Sequence, residues 1–500
     1  MERDRGAQRS EPVIEPPAGS ATDATVGAEQ VDVAIIGGGI SGLATAWYIL
    51  RQHPGLRVAV LEAGPTVGGK IAGATVAGHS VDCGPDAFLA RVPGGVELAT
   101  ELGLGDDLVA PATGKAWVWS RGKLRPLPEG LVLGAPSRLG PLARSGILSP
   151  LGVARAALDE VGPRRTDTDA GDDPTVAEAI GRHLGREVVE RLVDPLLGGI
   201  NASDCDRLSL ASTAPNLVAG ADAPRMMRAL RAVGAAQQRG QIGVDQDRPV
   251  FLTPRTGVRS LVEELHRQLP GGAVRTGEAV TSLSKLDRQW EVTTSKGHLL
   301  CAHTVVLATP AFITAGLVAG TSPTAAAELQ AIRTSSVALT LLAYPADRIT
   351  LPPGSGMLVP RVERRLITAS SWWNQKWPHL VTPGHVLVRA SAGRDGDTRF
   401  TGMDDDELVR SLHQDLRDML DIRSNPVDAQ VARWTDGFPQ YESGHAARVD
   451  RIERALTNDA AGLLLAGASY NGIGLPACVR SAKAAAEHAV ASVQERGPGR

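Results

Sequence analysis

Cysteine is scarce in this chain. Cys83, Cys205, Cys301 and Cys478 stand far apart, with no CxxC pair and no Cys/His cluster. Neither a disulfide framework nor a metal site is therefore expected, and a reducing cytoplasm is the expected setting. Charge of one sign is also lacking. A formal net charge of −3 and a pI near 6.4 give none of the basic excess that marks a partner of nucleic acid. Long apolar runs are missing too. "TVVLATPAFITAGLVAG", from Thr304, is broken by proline and small residues, and no run reaches the roughly 20 residues of a spanning helix. Aromatic residues make up only 3%, so any cluster of them is conspicuous.

What is present suffices for several packed cores: 500 residues, 43% of them hydrophobic. Residues 1–30 are rich in Glu, Asp, Arg, Ala and Pro and lack the apolar stretch of a secretory signal, so they read as a disordered tail.

The most informative stretch follows that tail: "VDVAIIGGGISGLATAWYIL". Residues 31–36 read as a buried parallel strand and 43–50 as the helix after a turn. Gly37, Gly39 and Gly42 fit G-x-G-x-x-G, whose glycines allow a tight turn, close approach of backbone to a pyrophosphate, and close helix–strand packing. The helix N-terminus then faces the phosphates. A second strand, "LRVAVLEAG", ends in Glu62, where an acid binds a ribose hydroxyl. "GPTVGGKIAG" adds a second glycine pair, Gly68 and Gly69, with Lys70 behind it. A nicotinamide domain has no use for that loop, whereas FAD, held extended, does.

Two distant segments extend the same reading. "GLLLAGASYNGIGLPACVRSAKAAAEHAV" contains a strand, a turn through Gly472 and Gly474, and a long helix starting near Pro476, a residue suited to a first helical turn. That helix end suits the negative charge of a reduced flavin. Midway, "GEAVTSLSKLDRQWEVTTSKGHLLCAHTVVLATP" reads as successive strands, with the backbone of Val280 placed for an adenine. The expected fold is α/β. A discontinuous Rossmann-like FAD-binding domain (31–110, 250–310 and 430–500) carries a mainly helical insertion (111–249) and a mixed β-sheet substrate domain (311–429).

Taken together these residues resemble the flavin-dependent protoporphyrinogen/coproporphyrinogen oxidases, within the wider amine oxidase-like flavoproteins. "GGKIAG" with "VDCGPDAFLAR", "VDPLLGGINASDCDRLSL", "NQKWPHL" and "FPQYESGHAARV" are similar to family blocks and occur in the same order. "GPDAFL" and "QKWPH" look most like the Gram-positive branch that uses coproporphyrinogen. Asn201 and Ala477 depart from it, standing where relatives often carry a tyrosine and an acid.

The resemblance implies FAD as cofactor. Its contacts would be Gly37, Gly38, Gly39, Ile40, Ser41 and Gly42 in the first loop and Glu62 and Ala63 after the second strand. Further contacts would be Gly69, Lys70, Gly84, Pro85, Asp86, Ala87, Val280, Gly467, Ile473, Gly474 and Leu475. It also implies a six-electron oxidation of a porphyrinogen within heme b synthesis. Hydride passes to the flavin, protons leave by tautomerism, and O2 is reduced to hydrogen peroxide. Such chemistry belongs to the cofactor and needs no dedicated base. No catalytic residue is nominated, and His445 reads as a structural histidine. Lys376, with Arg91 and Arg389 behind it, is the expected partner of substrate propionates. Trp372, Trp373 and Trp377 offer either a stacking surface for a flat macrocycle or core packing. Docking with a ferrochelatase and peripheral contact with a membrane are left open. The rival substrates are protoporphyrinogen, and amines or carotenoids. A non-enzymatic flavin scaffold is the remaining alternative.

Overall fold

The computed structural model describes residues 28–162, 173–238, 249–381 and 383–496. The expected tail therefore lies outside the described residues up to position 27. Its last two positions do not belong to it: Glu29 and Gln30 already pair with Leu300 and Cys301.

Strand β1 (Glu29–Ile36) is buried almost throughout from Val31, the burial of a strand covered on both faces. It runs parallel to β2 (Val58–Leu61) on one side and to Leu299–Leu307 on the other. Val274–Arg275 and Leu463–Leu465 add parallel strands, and Gln289–Thr294 and Val280–Leu286 complete seven strands as an antiparallel meander. Successive side chains of β1 point to opposite faces. Val33 and Ile35 pack with helices Ile40–Gln52 (α1), Arg259–Gln268 and Leu475–Arg496. Ala34 and Ile36 pack with Ala311–Val318, Pro323–Gln330 and His445–Asp459. Three remote parts of the chain thus build one doubly covered sheet.

The second sheet also has seven strands, in the order Asp428–Pro439, Thr334–Pro345, His385–Ala392, Ile367–Trp372, Gly356–Leu358, Trp117–Ser120, Lys123–Pro126. Helix Asp405–Leu420 covers one face through Leu408, Leu412 and Leu416. The hairpin of β3 (Gly73–Val76) and β4 (His79–Asp82) contributes Val76 and Val81 to the core on the other side. Two expected boundaries move. Residues 117–126, read as part of the helical insertion, form edge strands of this sheet, and Asp428–Pro439, read largely as flavin domain, is its opposite edge. Both are pairing effects: a four-residue run becomes a strand only when a neighbour such as Gly356–Leu358 supplies hydrogen bonds.

Apart from a short antiparallel pair, Leu131–Val132 with Ala135–Pro136, the other described residues of the insertion are mainly helical. Thr175 caps Val176–Leu184 with a reciprocal Glu178 bond, and a π-helical stretch, Val189–Gly198, carries the "VDPLLG" part of the signature. No helix among the described residues is long and apolar enough to cross a membrane.

Candidate functional site

The glycine loop shows why each glycine is there. A Cβ on Gly42 would lie 1.9 Å from the carbonyl oxygen of Gly37, and one on Gly37, at φ +107°, would lie 2.8 Å from that of Ala308. Those two are needed by the fold. Gly39 is different: nothing lies within 4 Å of where its Cβ would be. It also starts α1 without a side-chain cap, leaving the first-turn amides free beside that opening. Glu62, at the end of β2, accepts the N–H groups of Gly38 and Gly64, each at 2.6 Å.

Four further segments close on this loop. The N–H of Gly68 donates to Gly38 at 2.9 Å, and a Cβ on Gly69 would sit 3.4 Å from the Cα of Gly39. Gly84 packs so tightly on Lys70 that a Cβ would come within 2.0 Å of the Lys70 carbonyl oxygen, which brings Pro85, Asp86 and Ala87 alongside. Gly467, at φ +116°, faces Ser41, whose hydroxyl donates to Cys478 in the first turns of the C-terminal helix. The turn through Ile473, Gly474 and Leu475 leads into that helix. The N–H groups of Gly277 and Glu278 donate to Gly64 and Glu62, placing the segment before Val280 at the loop's far end.

The donor set fits FAD. The space beside Gly39 is where a pyrophosphate would approach, and Lys70 lies partly buried with no ion pair among the described residues. Burial pushes its ammonium down, a strain that an anionic guest relieves.

The wall beside the cradle is a charged lock. Asp86 accepts Lys376 Nζ at 2.7 Å and Trp377 Nε1 at 3.1 Å, and Arg389 lies 3.4 Å away while donating to the Gly84 carbonyl at 2.9 Å. Burial alone would raise the Asp86 carboxyl; the Arg389 guanidinium and Lys376 ammonium outweigh it and hold the group below the usual carboxylate range. Behind it, burial pushes Asp82 up to about 6, opposed by the N–H groups of Val258 and Arg259 that it accepts.

Three expectations change here. Lys376 and Arg389 do not stand open for propionates: Asp86 already neutralises them, because the strand and turn that carry them pack directly on residues 84–86. Asp86 turns its carboxylate toward those cations and the Trp377 Nε1–H, which leaves only its backbone for the expected cofactor contact. The tryptophan trio is core. Trp372, Trp373 and Trp377 are at most 1% exposed, so no ring offers a face to a macrocycle. Arg91 is half-buried in the turn after Phe88–Leu89. Asn201 is buried and donates to the Leu197 carbonyl, while Ala477 closes against Gly472. His445 is buried and bonded to the Tyr470 carbonyl, as a structural histidine should be. Sequence reading missed Tyr441 and Trp434, whose side chains bond the backbones of Ala468 and Cys83. Tyr441 lies in a quoted block, and its spacing of four from His445 was the available signal.

The family model for flavin containing amine oxidoreductase matches residues 40–490. The chain is 35% identical to coproporphyrinogen III oxidase of Bacillus subtilis, covering 92% of this chain and 97% of that protein. It is 28% identical to protoporphyrinogen oxidase 1, chloroplastic, of Arabidopsis thaliana, covering 90% and 86%. A crystal structure from Exiguobacterium sp. 255-15 superposes with a TM-score of 0.82 at 30% identity, over 94% of this chain and 99% of the other.

Proposed function

The chain belongs to the flavin containing amine oxidoreductase family, and from that premise we propose that it oxidises coproporphyrinogen III to coproporphyrin III. The observation that carries this is near full-length likeness, at 30–35% identity, to bacterial coproporphyrinogen III oxidases. FAD is the cofactor, and when bound it supplies the two-electron acceptor for each of three successive oxidations. Oxygen takes the electrons on, giving hydrogen peroxide, and the product feeds heme b synthesis in the cytoplasm.

The chain's own part is to position and to balance charge. The uncapped start of α1 and the opening at Gly39 receive the pyrophosphate. Lys70 offers a partly buried cation to the cofactor. The Asp86–Lys376–Arg389 lock holds residues 84–87 in place against the second sheet. A ferrochelatase remains the candidate recipient of product.

Protoporphyrinogen IX is the second reading, favoured by the chloroplastic relative. Oxygen uptake and product fluorescence with both porphyrinogens separate the two. The expected result is a kcat/KM at least tenfold higher for the tetracarboxylate substrate. Equal or reversed values assign the second reading, and turnover of neither overturns both.

A further inference from the structure

A short strap, residues 440–444, joins strand Asp428–Pro439 to helix His445–Asp459 and touches all three parts of the molecule. Its outer side is fastened to the insertion and the second sheet. The Tyr441 carbonyl accepts the N–H of Ser209 at 2.8 Å, the N–H of Gly444 donates to Asp173 at 2.7 Å, and Glu442 pairs with Arg207 at 2.8 Å and with Arg333 at 2.7 Å. Gln440 donates to the Ser335 hydroxyl at 3.0 Å. The strap therefore cannot drift.

Its inner side and the first residue of that helix carry two buried rings. Tyr441 and His445 stack with centroids 3.9 Å apart and planes 13° from parallel. The Tyr441 hydroxyl donates to the Ala468 carbonyl at 2.7 Å and accepts the N–H of Gly472 at 2.8 Å. His445 Nε2 lies 2.9 Å from the Tyr470 carbonyl, and since a carbonyl only accepts, that nitrogen carries the proton. Burial holds the imidazole below its ordinary range, so it is neutral at pH 7 and keeps this tautomer. Three hydrogen bonds from one stacked pair thus grip residues 468–472. That turn runs between Gly467 and Gly474, both in the flavin cradle, and includes Gly472 at φ +123°.

We propose that Tyr441 and His445 are positioning residues for the flavin: as a unit they set the backbone of the 468–472 turn, and through it the placement of the isoalloxazine. This rests on the FAD reading above. Neither residue need touch the substrate or donate a proton to it. The Gly472 amide is the sensitive point. Held by the Tyr441 hydroxyl it has one fixed acceptor; without that acceptor the turn loses the bond that fixes its last residue.

The test uses the full chain loaded with FAD. Tyr441→Phe keeps the stack and removes the hydroxyl; His445→Phe keeps the stack and removes the donor; His445→Gln restores a donor. His445→Phe, which loses one buried hydrogen bond, should raise the FAD dissociation constant about tenfold, and Tyr441→Phe, which loses two, by at least as much. They should also move the flavin absorption maxima and midpoint potential, and His445→Gln should return both toward wild type. Wild-type flavin spectrum, potential and FAD affinity in both Phe variants overturn the proposal, whatever happens to their melting temperatures. Should Tyr441→Phe fail to fold, the two His445 variants decide alone. Wild-type protein that stays colourless with added FAD overturns the flavin reading, and this proposal with it.

Discussion

At Gly39 the missing side chain leaves room for a guest, and the substitution that tests this is Gly39→Val. Nothing in the protein meets the new atoms at Cβ, so the variant should fold and melt within a few degrees of wild type. Its valine would occupy the opening above α1, and flavin-to-protein absorbance after gel filtration with added FAD should drop to background. A yellow variant would contradict the cradle. Much at this scale was legible beforehand, because G-x-G-x-x-G and an acid 20 residues later are local signals of a strand–turn–helix unit. The charged and aromatic side chains were not. Lys376 and Arg389 look available in a sequence, and only the approach of Asp86 from nearly 300 residues away shows them to be paired.

Among elements, the junction of β1 and α1 is the least tolerant of change. Gly42→Ala places a methyl 1.9 Å from the Gly37 carbonyl oxygen, which neither strand nor helix can evade without opening the turn. We expect it to destabilise the flavin half by at least about 3 kcal/mol, the upper end for overpacking, read from denaturant midpoints. The β1–α1–β2 unit was readable because its apolar run, glycines and following helix are contiguous. Trp117–Ser120 and Lys123–Pro126 were not, since four residues carry too short a pattern to separate strand from loop. Their identity comes from pairing with Gly356–Leu358, far along the chain. The tryptophans of Ile367–Trp372 and the turn after it were equally ambiguous, because a ring that packs and a ring that stacks on a ligand are the same residue in a sequence.

For the whole molecule, the lock at Asp86 joins the flavin domain to the second sheet. Asp86→Asn leaves two mostly buried cations without their anion and should cost about 3 kcal/mol, with weaker FAD retention, measured by paired melts and absorbance. The pH dependence has a definite sign. Because the folded carboxyl is held below its usual range, the stability it contributes is present above that range and is lost as pH falls through the lower folded value. The variant should therefore show a shallower loss on acidification than wild type. The sequence by itself determined the flavin-type α/β unit, its discontinuity, the helical insertion and the family resemblance, since glycine spacing, hydrophobic period and ordered motifs are properties of neighbours along the chain. Tertiary structure alone decided which charges are neutralised, which rings are buried and which strap holds the 468–472 turn, because those depend on groups brought together from hundreds of residues apart by the packing of two sheets.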